Sequence, residues 1–491
     1  MGERNNFQWV KNAVEHILLG LNNNLKNASY LVTSALKNQE MTNSEVKPMK
    51  YRAFSVRNFR RIPQIENLTE QEKKDIEVVG SVLPFKVNNY VIDELIDWKN
   101  HKDDPIFHLT FPQKGMLDPE DYEKMAKAME TTDNRMELRK VADEIRHKLN
   151  PHPAGQMEMN MPEFEGNVLP GVQHKYRETV LFFPTAGQTC HSYCSFCFRW
   201  PQFVGMDGLK FAMKETDILM EYLEKHPEVT DILITGGDPM VMNFRVFKQY
   251  IDPIIENRHK TNLQTIRIGT KSLSFWPHKY TSDKDADDFI NLFKEIVDSG
   301  LNLAFMAHFN HPVELTTPVV KEAVKRILAT GTQIRTQSPL VRHINDCPNV
   351  WADMWKKQVD MGMIPYYMFV ERDTGAKAHF ELPLVETWKI FREAYQKVSG
   401  ICRTVRGPSM SAMPGKVQIL GVTEIPINGK KEKVFALQML QGRNPDWVVK
   451  PFFAKYDPKA YWLDDLEPIT DDKFFYDTEL EAMKEEALQS A

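Results

Sequence analysis

From about Tyr176 to Lys397, apolar runs of strand length alternate with helical patterns, and this alternation restricts the fold more than any other feature of the chain. Strand candidates are Thr179–Phe183, Asp231–Thr235, Gln264–Gly269, Leu301–Ala307, Gln333–Gln337 and Ile364–Phe369. Between and after them lie helix candidates at Glu215–Lys225, Asp287–Ser299, Thr317–Thr330, Val350–Met361 and Leu384–Lys397. Repeated strand–helix units build a parallel sheet covered by its crossover helices. Six or so units suit a partial barrel better than a complete eightfold one, and chemistry in such folds collects at the C-terminal strand ends. The expected class is therefore α/β, a partial (β/α)6 barrel over 173–425. A helical, charged N-terminal region and connection fills 1–172, and a C-terminal extension fills 426–491.

The flanks carry their own signals. Residues 1–60 read as an amphipathic helical start followed by a polar linker, Asn38–Lys50. Thr69, followed by Glu70, Gln71 and Glu72, is a helix start with a cap and acids in the first turn. Residues 151–172 hold four prolines and three glycines and read as an extended connection. Pro426-Ile427-Asn428-Gly429 carries the Asn-Gly signal of a tight hairpin, and the aromatic, acidic tail beyond it could cover the barrel or mediate assembly.

Composition narrows the partners. The 491 residues include 62 basic and 67 acidic side chains, a net charge of −5 that gives no electrostatic case for nucleic acid or an anionic membrane. No apolar run approaches the roughly 18 residues of a membrane span, and the first 30 residues do not make a signal peptide. Five cysteines, an odd number in a long chain, argue against a disulfide scaffold and for the reducing cytoplasm.

Three of those cysteines stand together in Cys190-His191-Ser192-Tyr193-Cys194-Ser195-Phe196-Cys197. A [4Fe–4S] cluster is normally closed by four thiolates, so three leave one iron with an open position. Two other readings remain at this point: a zinc knuckle with a distant fourth ligand, or buried thiols acting as small apolar residues. After the second strand comes Thr235-Gly236-Gly237-Asp238-Pro239, where glycines let backbone approach a ligand closely; on its own it is equally a simple turn.

The triplet spacing resembles the signature of the radical S-adenosylmethionine (SAM) superfamily. Residues 65–425 further resemble the lysine 2,3-aminomutase family within it. The matching segments include Pro170-Gly171-Val172-Gln173-His174-Lys175-Tyr176, the triplet with Arg199, Ile232–Pro239, Ile266-Arg267-Ile268-Gly269-Thr270, His308-Phe309-Asn310-His311-Pro312 with Glu314, Gln337-Ser338, Asn345-Asp346-Cys347 and Pro365-Tyr366-Tyr367. The resemblance implies an isomerase, a 2,3-aminomutase that moves an amino group from Cα to Cβ through a 5′-deoxyadenosyl radical, with a [4Fe–4S] cluster, SAM and pyridoxal 5′-phosphate (PLP) as cofactors.

It also implies site residues. Cys190, Cys194 and Cys197 would hold the cluster. Gly236, Gly237, Asp238 and His308 would bind SAM or border it, and Lys175, Tyr176 and Gln337 would lie near PLP. Lys416, after Met413-Pro414-Gly415, matches the lysine that carries PLP, and Arg199 matches the arginine that grips the substrate α-carboxylate. Thr179 stands where the family has a second phosphate-binding arginine. A reducing electron donor such as flavodoxin or ferredoxin and a homo-oligomeric state are implied as well.

Departures from the family bear on substrate. Lysine-acting members hold the distal ammonium with two aspartates; gap-free counting puts Arg372 and Ser409 at those positions. A buried ammonium facing an arginine would lose its pairing and gain repulsion. Arg372 and Ser409 therefore point to glutamate or another acidic amino acid, while neighbouring Asp373 or Glu371 would return an acid to the pocket and restore lysine. The alternatives are lysine 2,3-aminomutase activity or a related radical SAM enzyme acting on another amino acid or a lysine-containing substrate. No cysteine follows Cys402, so the interface zinc site of some members is not expected.

Overall fold

A computed structural model describes residues 47–206, 208, 211–469 and 472–490. The expected amphipathic start and most of the Asn38–Lys50 linker lie outside the described residues.

An open sheet of eleven strands runs through the molecule in strict sequence order. They are β1 (Val172–Tyr176), β2 (Thr179–Phe182), β3 (Asp231–Ile234), β4 (Thr265–Thr270), β5 (Asn302–His308), β6 (Gln333–Leu340), β7 (Ile364–Val370), β8 (Arg406–Ser411), β9 (Gly415–Ile427), β10 (Lys430–Gly442) and β11 (Pro451–Lys455). Strands β2 to β8 are parallel to their neighbours, and the edges are antiparallel. The sheet is thus mixed, with six parallel pairs at its centre.

Strand alternation sets the two faces of this sheet. In β4, Ile266 and Ile268 are fully buried, while Thr265, Arg267 and Gly269 on the other face are only partly covered. The apolar face packs under the crossover helices α1 (Thr216–Lys225), α2 (Phe244–Glu256), α3 (Ala286–Asp298), α4 (Pro318–Leu328), α5 (Pro348–Asp360) and α6 (Leu384–Gln396), with Phe247, Phe289, Phe293 and Ile327 in that core. Helix starts follow capping chemistry: Asn243 accepts from the Val246 N–H at 3.1 Å, and Thr317 with Pro318 starts α4.

Three elements depart from the sequence pattern. Strand β8 contains Gly407-Pro408, a pair that reads as a turn, and the helix Phe244–Glu256 carries Pro253 inside its last turn. Strand β6 also continues past Gln337 to Leu340 in spite of Pro339. The expected hairpin is present: Asn428 and Gly429, at φ 50° and 78°, join two thirteen-residue strands, β9 and β10.

The N-terminal region forms a second core around Phe59, Val79, Tyr90 and Phe107 that incorporates Trp200, Trp276 and Phe380 from the rim of the sheet. Its helix at Glu70–Val82 starts with the expected capping box: Thr69 accepts from the Glu72 N–H at 3.2 Å, and Glu72 accepts from the Thr69 N–H at 2.7 Å. The tail extends the same sheet through β11 and brings Tyr461 and Trp462 beside Arg372. No helix among the described residues is long and apolar enough to cross a membrane.

Candidate active site

The loop after β2 carries the cysteine triplet. All three thiols line one cleft of about 280 Å³ at the C-terminal ends of the parallel strands. The same cleft is lined by Arg199, Gly236, Gly237, Asp238, His308, Gln337, Glu371 and Arg372. Burial pushes the thiols up, Cys190 and Cys194 strongly and Cys197 to about 11; Lys86, Lys271 and Arg199 counter it at one cysteine each. The Arg199 N–H also donates to the Cys197 sulfur.

These thiols fit a cluster. Among the described residues, no three His, Cys, Asp or Glu side chains gather closely enough to hold a single metal ion. A cuboidal cluster takes each thiolate on a different iron, and all three thiols open into the one cleft.

The glycine turn packs directly on the cysteine loop. A Cβ on Gly237 would lie 2.5 Å from the Thr189 carbonyl oxygen, and one on Gly236, at φ 141°, would lie 2.3 Å from the Gln188 amide nitrogen. The Asp238 N–H donates to the Thr189 carbonyl at 2.7 Å. The Asp238 carboxylate itself accepts from Thr270 Oγ1 at 2.7 Å and from the N–H groups of Lys271 and Met240 at 3.0 Å. Asp238, expected among the cofactor-binding residues, therefore has its side chain occupied within the protein. That carboxylate is committed to its own chain and clamps the glycine turn to the end of β4. Backbone of the turn is what remains for a ligand such as SAM.

His308 and Gln337 face each other across the β5–β6 register and hydrogen-bond at 2.7 Å. Burial lowers the imidazole to about 3, so His308 is neutral and its Nε2 accepts from the Gln337 amide. Arg199 stacks 4.4 Å from the Phe183 ring centre and 5.1 Å from that of Phe198, and has no ion pair among the described residues. Burial, with Arg372 nearby, lowers its guanidinium to about 10. Arg372 Nε and Nη2 are buried without hydrogen-bond partners. Glu371, 7% exposed, lies beside it with its carboxyl pushed well above the usual range by burial. Asp373 does not line the cleft; its carbonyl accepts from Asn150.

Lys416 lies beneath the cleft, not in its wall. Its Nζ is 4.1 Å from the centre of the Tyr367 ring and 5.3 Å from that of Phe369, and Phe369 does line the cleft. Burial, reinforced by Arg267 and Arg406, lowers the Lys416 ammonium to about 7. A buried, readily deprotonated amine suits covalent attachment of an aldehyde cofactor, so Lys416 fits PLP. Lys175 and Tyr176 are also behind the wall; the Lys175 ammonium donates to the Ala412 carbonyl. Ser409 does not reach the cleft either. It is fully buried between Phe369 and Gln418 in the sheet register, its hydroxyl unpartnered, which corrects its expected place in the substrate pocket.

Below Lys416 a second cavity of about 330 Å³ opens at the N-terminal strand ends, where Thr179, Asp231, Thr265, Asn302 and Gln333 each begin a strand.

Sequence reasoning missed two features. Lys271 lines the cleft and pairs with fully buried Glu314 at 2.6 Å; its place directly after β4 was the available signal. The N-terminal region also braces the cysteine loop, with hydrogen bonds from Lys86 Nζ to the Cys190 carbonyl (2.7 Å), Tyr51 Oη to the His191 carbonyl (2.7 Å) and the Ser195 N–H to the Leu109 carbonyl (2.9 Å).

No protein-family model matches the chain. Among curated proteins, it is 28% identical to "Putative L-lysine 2,3-aminomutase" of Aquifex aeolicus over 82% of this chain and 92% of that one. It is 27% identical to L-lysine 2,3-aminomutase of Clostridium subterminale over 51% of this chain and 56% of that one. It is 25% identical to the Bacillus subtilis L-lysine 2,3-aminomutase over 70% and 63% of the two chains. The match therefore spans less than two thirds of the last two. A solved radical SAM methyltransferase from Sphaerobacter thermophilus aligns at 15% identity over 50% of this chain and 68% of that one with a TM-score of 0.33, too slight a likeness to bear on fold or function.

The curated proteins that this chain resembles are thus aminomutases, enzymes of the isomerase class. The chain resembles the lysine 2,3-aminomutase family, whose members use a [4Fe–4S] cluster, SAM and PLP.

Proposed function

We propose that this protein is a 2,3-aminomutase acting on a free amino acid, with L-lysine as its substrate. The observation that carries the reading is one cleft that unites three half-buried cysteines, a glycine turn and an arginine with no ion pair among the described residues, directly above a lysine whose ammonium is lowered to about 7. When bound, the cluster and SAM supply the radical that removes a hydrogen from the substrate Cβ, and PLP supplies the conjugated system on which the amino group shifts.

Cys190, Cys194 and Cys197 would hold the cluster, and backbone of Gly236 and Gly237 would hold SAM beside it. Lys416 would carry PLP. Arg199, fixed by its stacking on Phe183 and Phe198, would orient the substrate by its α-carboxylate through two parallel hydrogen bonds. Phe196, Phe198, Phe203 and Phe369 in the cleft wall would keep water from the reacting carbon. The open sheet is read as the partial barrel of such enzymes, and a low-potential donor such as flavodoxin or ferredoxin in the cytoplasm as its electron source.

The substrate expectation changes. Arg372 alone favours glutamate, but the relatives are lysine aminomutases, and Glu371 offers the cleft a buried carboxyl for a distal ammonium. Bringing an ammonium beside Glu371 favours its ionised form and relieves the cost of its burial. The unpartnered Arg372 nitrogens support the glutamate reading as the second choice. Anaerobic turnover of Glu371→Gln with each amino acid tests the assignment. Loss of lysine turnover supports it, and unchanged lysine kinetics with glutamate accepted equally well contradicts it.

A further inference from the structure

The cavity below Lys416 has a lining separate from that of the cysteine cleft, yet it opens beside the lysine. Lys416 pairs with Gln441 across the β9–β10 register, so the two side chains share a face. Gln441 and Tyr367 both line the cavity, and Tyr367 is the ring against which Lys416 packs. A group held on Lys416 is therefore within reach of this chamber from above.

The charge in the chamber is unbalanced. Asp231 is the single carboxylate in its wall, and it is fully engaged: it accepts from Arg267 Nε at 2.8 Å, from Arg267 Nη2 and from Thr179 Oγ1 at 3.0 Å. Arg335 on the other side has no carboxylate partner among the described residues. It donates only to the neutral Gln333 amide oxygen, at 3.0 and 3.3 Å, and stacks 5.3 Å from the Tyr366 ring centre. Arg406 stacks on the same ring at the same distance. The remaining polar wall consists of neutral groups. A chamber with one spare guanidinium, a second at its edge and no free carboxylate suits a phosphate monoester.

We propose that this cavity is the phosphate subsite for PLP, with Arg335 as its principal anchor and Arg406 as a secondary one. The inference rests on the PLP reading above and adds where the cofactor's anionic end lies. Arg335 is a binding residue, remote from the cluster.

The test titrates the anaerobic apo-protein with PLP and with pyridoxal, which lacks the phosphate, following the absorbance of lysine-attached cofactor. Wild type is expected to prefer PLP, and inorganic phosphate is expected to compete with PLP but not with pyridoxal. Arg335→Gln is expected to weaken PLP about 10- to 100-fold while leaving pyridoxal unchanged. Adding Thr179→Arg to that variant, which returns a guanidinium from the opposite wall, is expected to restore part of the preference. An unchanged ratio of PLP to pyridoxal affinity in Arg335→Gln overturns the subsite while leaving PLP binding intact. Failure of wild type to bind either ligand overturns the PLP reading itself. Should Arg335→Gln lose both ligands, Arg335→Lys takes the same ratio test, with a smaller expected shift supporting the subsite and none overturning it.

Discussion

Lys416 Nζ packs 4.1 Å from the centre of the Tyr367 ring, which puts an amine between the cysteine-lined cleft above and an arginine-lined cavity below. Burial there lowers its ammonium to about 7 from 10.5. Below that value the amine is protonated and cannot attack an aldehyde. The rate of PLP attachment should therefore rise as pH passes through about 7 and level off above it, not near 10.5. Stopped-flow absorbance over a pH series checks this, and Lys416→Ala should abolish attachment. The sign for stability is the same. Between about 7 and 10.5 the unfolded chain binds the proton and the folded chain does not, so this group's contribution to apo-protein stability rises with pH across that window.

Gly237→Ala should damage the cysteine loop from a distance. The new methyl would meet the Thr189 backbone at 2.5 Å, and backbone cannot yield as a flexible side chain can. A destabilisation of about 1–3 kcal/mol is expected, typical of overpacking. Thermal unfolding and iron content measured together should both fall.

Replacing Cys190, Cys194 or Cys197 by Ser should each remove most bound iron and the brown absorption of the reconstituted protein. Cys347 and Cys402 are buried outside the cleft, so Cys347→Ser and Cys402→Ser should retain it.

Asn88→Ala tests the brace under the triplet. Asn88 Nδ2 donates to the Phe275 carbonyl at 2.8 Å and the His191 carbonyl at 3.3 Å, and its N–H donates to Ser192 Oγ at 3.0 Å. Losing the side chain removes the Asn88 donor from the Phe275 carbonyl and the Asn88 acceptor from the Val91 N–H, at a cost of about 1–3 kcal/mol. Lower melting temperature with slower cluster assembly is the expected result, read by denaturation and by the time course of iron incorporation.

Much of the site was legible because it is written in short segments. The triplet, the Gly236-Gly237 turn, Arg199 and the His308–Gln337 pair lie at strand ends, and strand order alone brings them together. What was hidden depends on contacts between distant segments. That the Asp238 carboxylate is held by Thr270 and Lys271, one strand further on, is a contact of this kind. The N-terminal brace joins residues such as Lys86 and Cys190, which no periodicity links. Strand β8 was concealed by Gly407-Pro408, since its neighbours on both sides, not its own propensity, hold it extended. The substrate pocket was only half legible, for a local reason. Beyond Val370 strand alternation ends, so Glu371 and Arg372 both reach the cleft and gap-free counting cannot choose between them.

The most direct test is anaerobic turnover of the reconstituted protein with SAM, PLP and a reductant, offering lysine and glutamate together and resolving β-amino products by mass spectrometry. The account predicts β-lysine, absent when SAM or PLP is omitted and absent in Lys416→Ala. Cleavage of SAM with no β-amino acid formed from either substrate would contradict it.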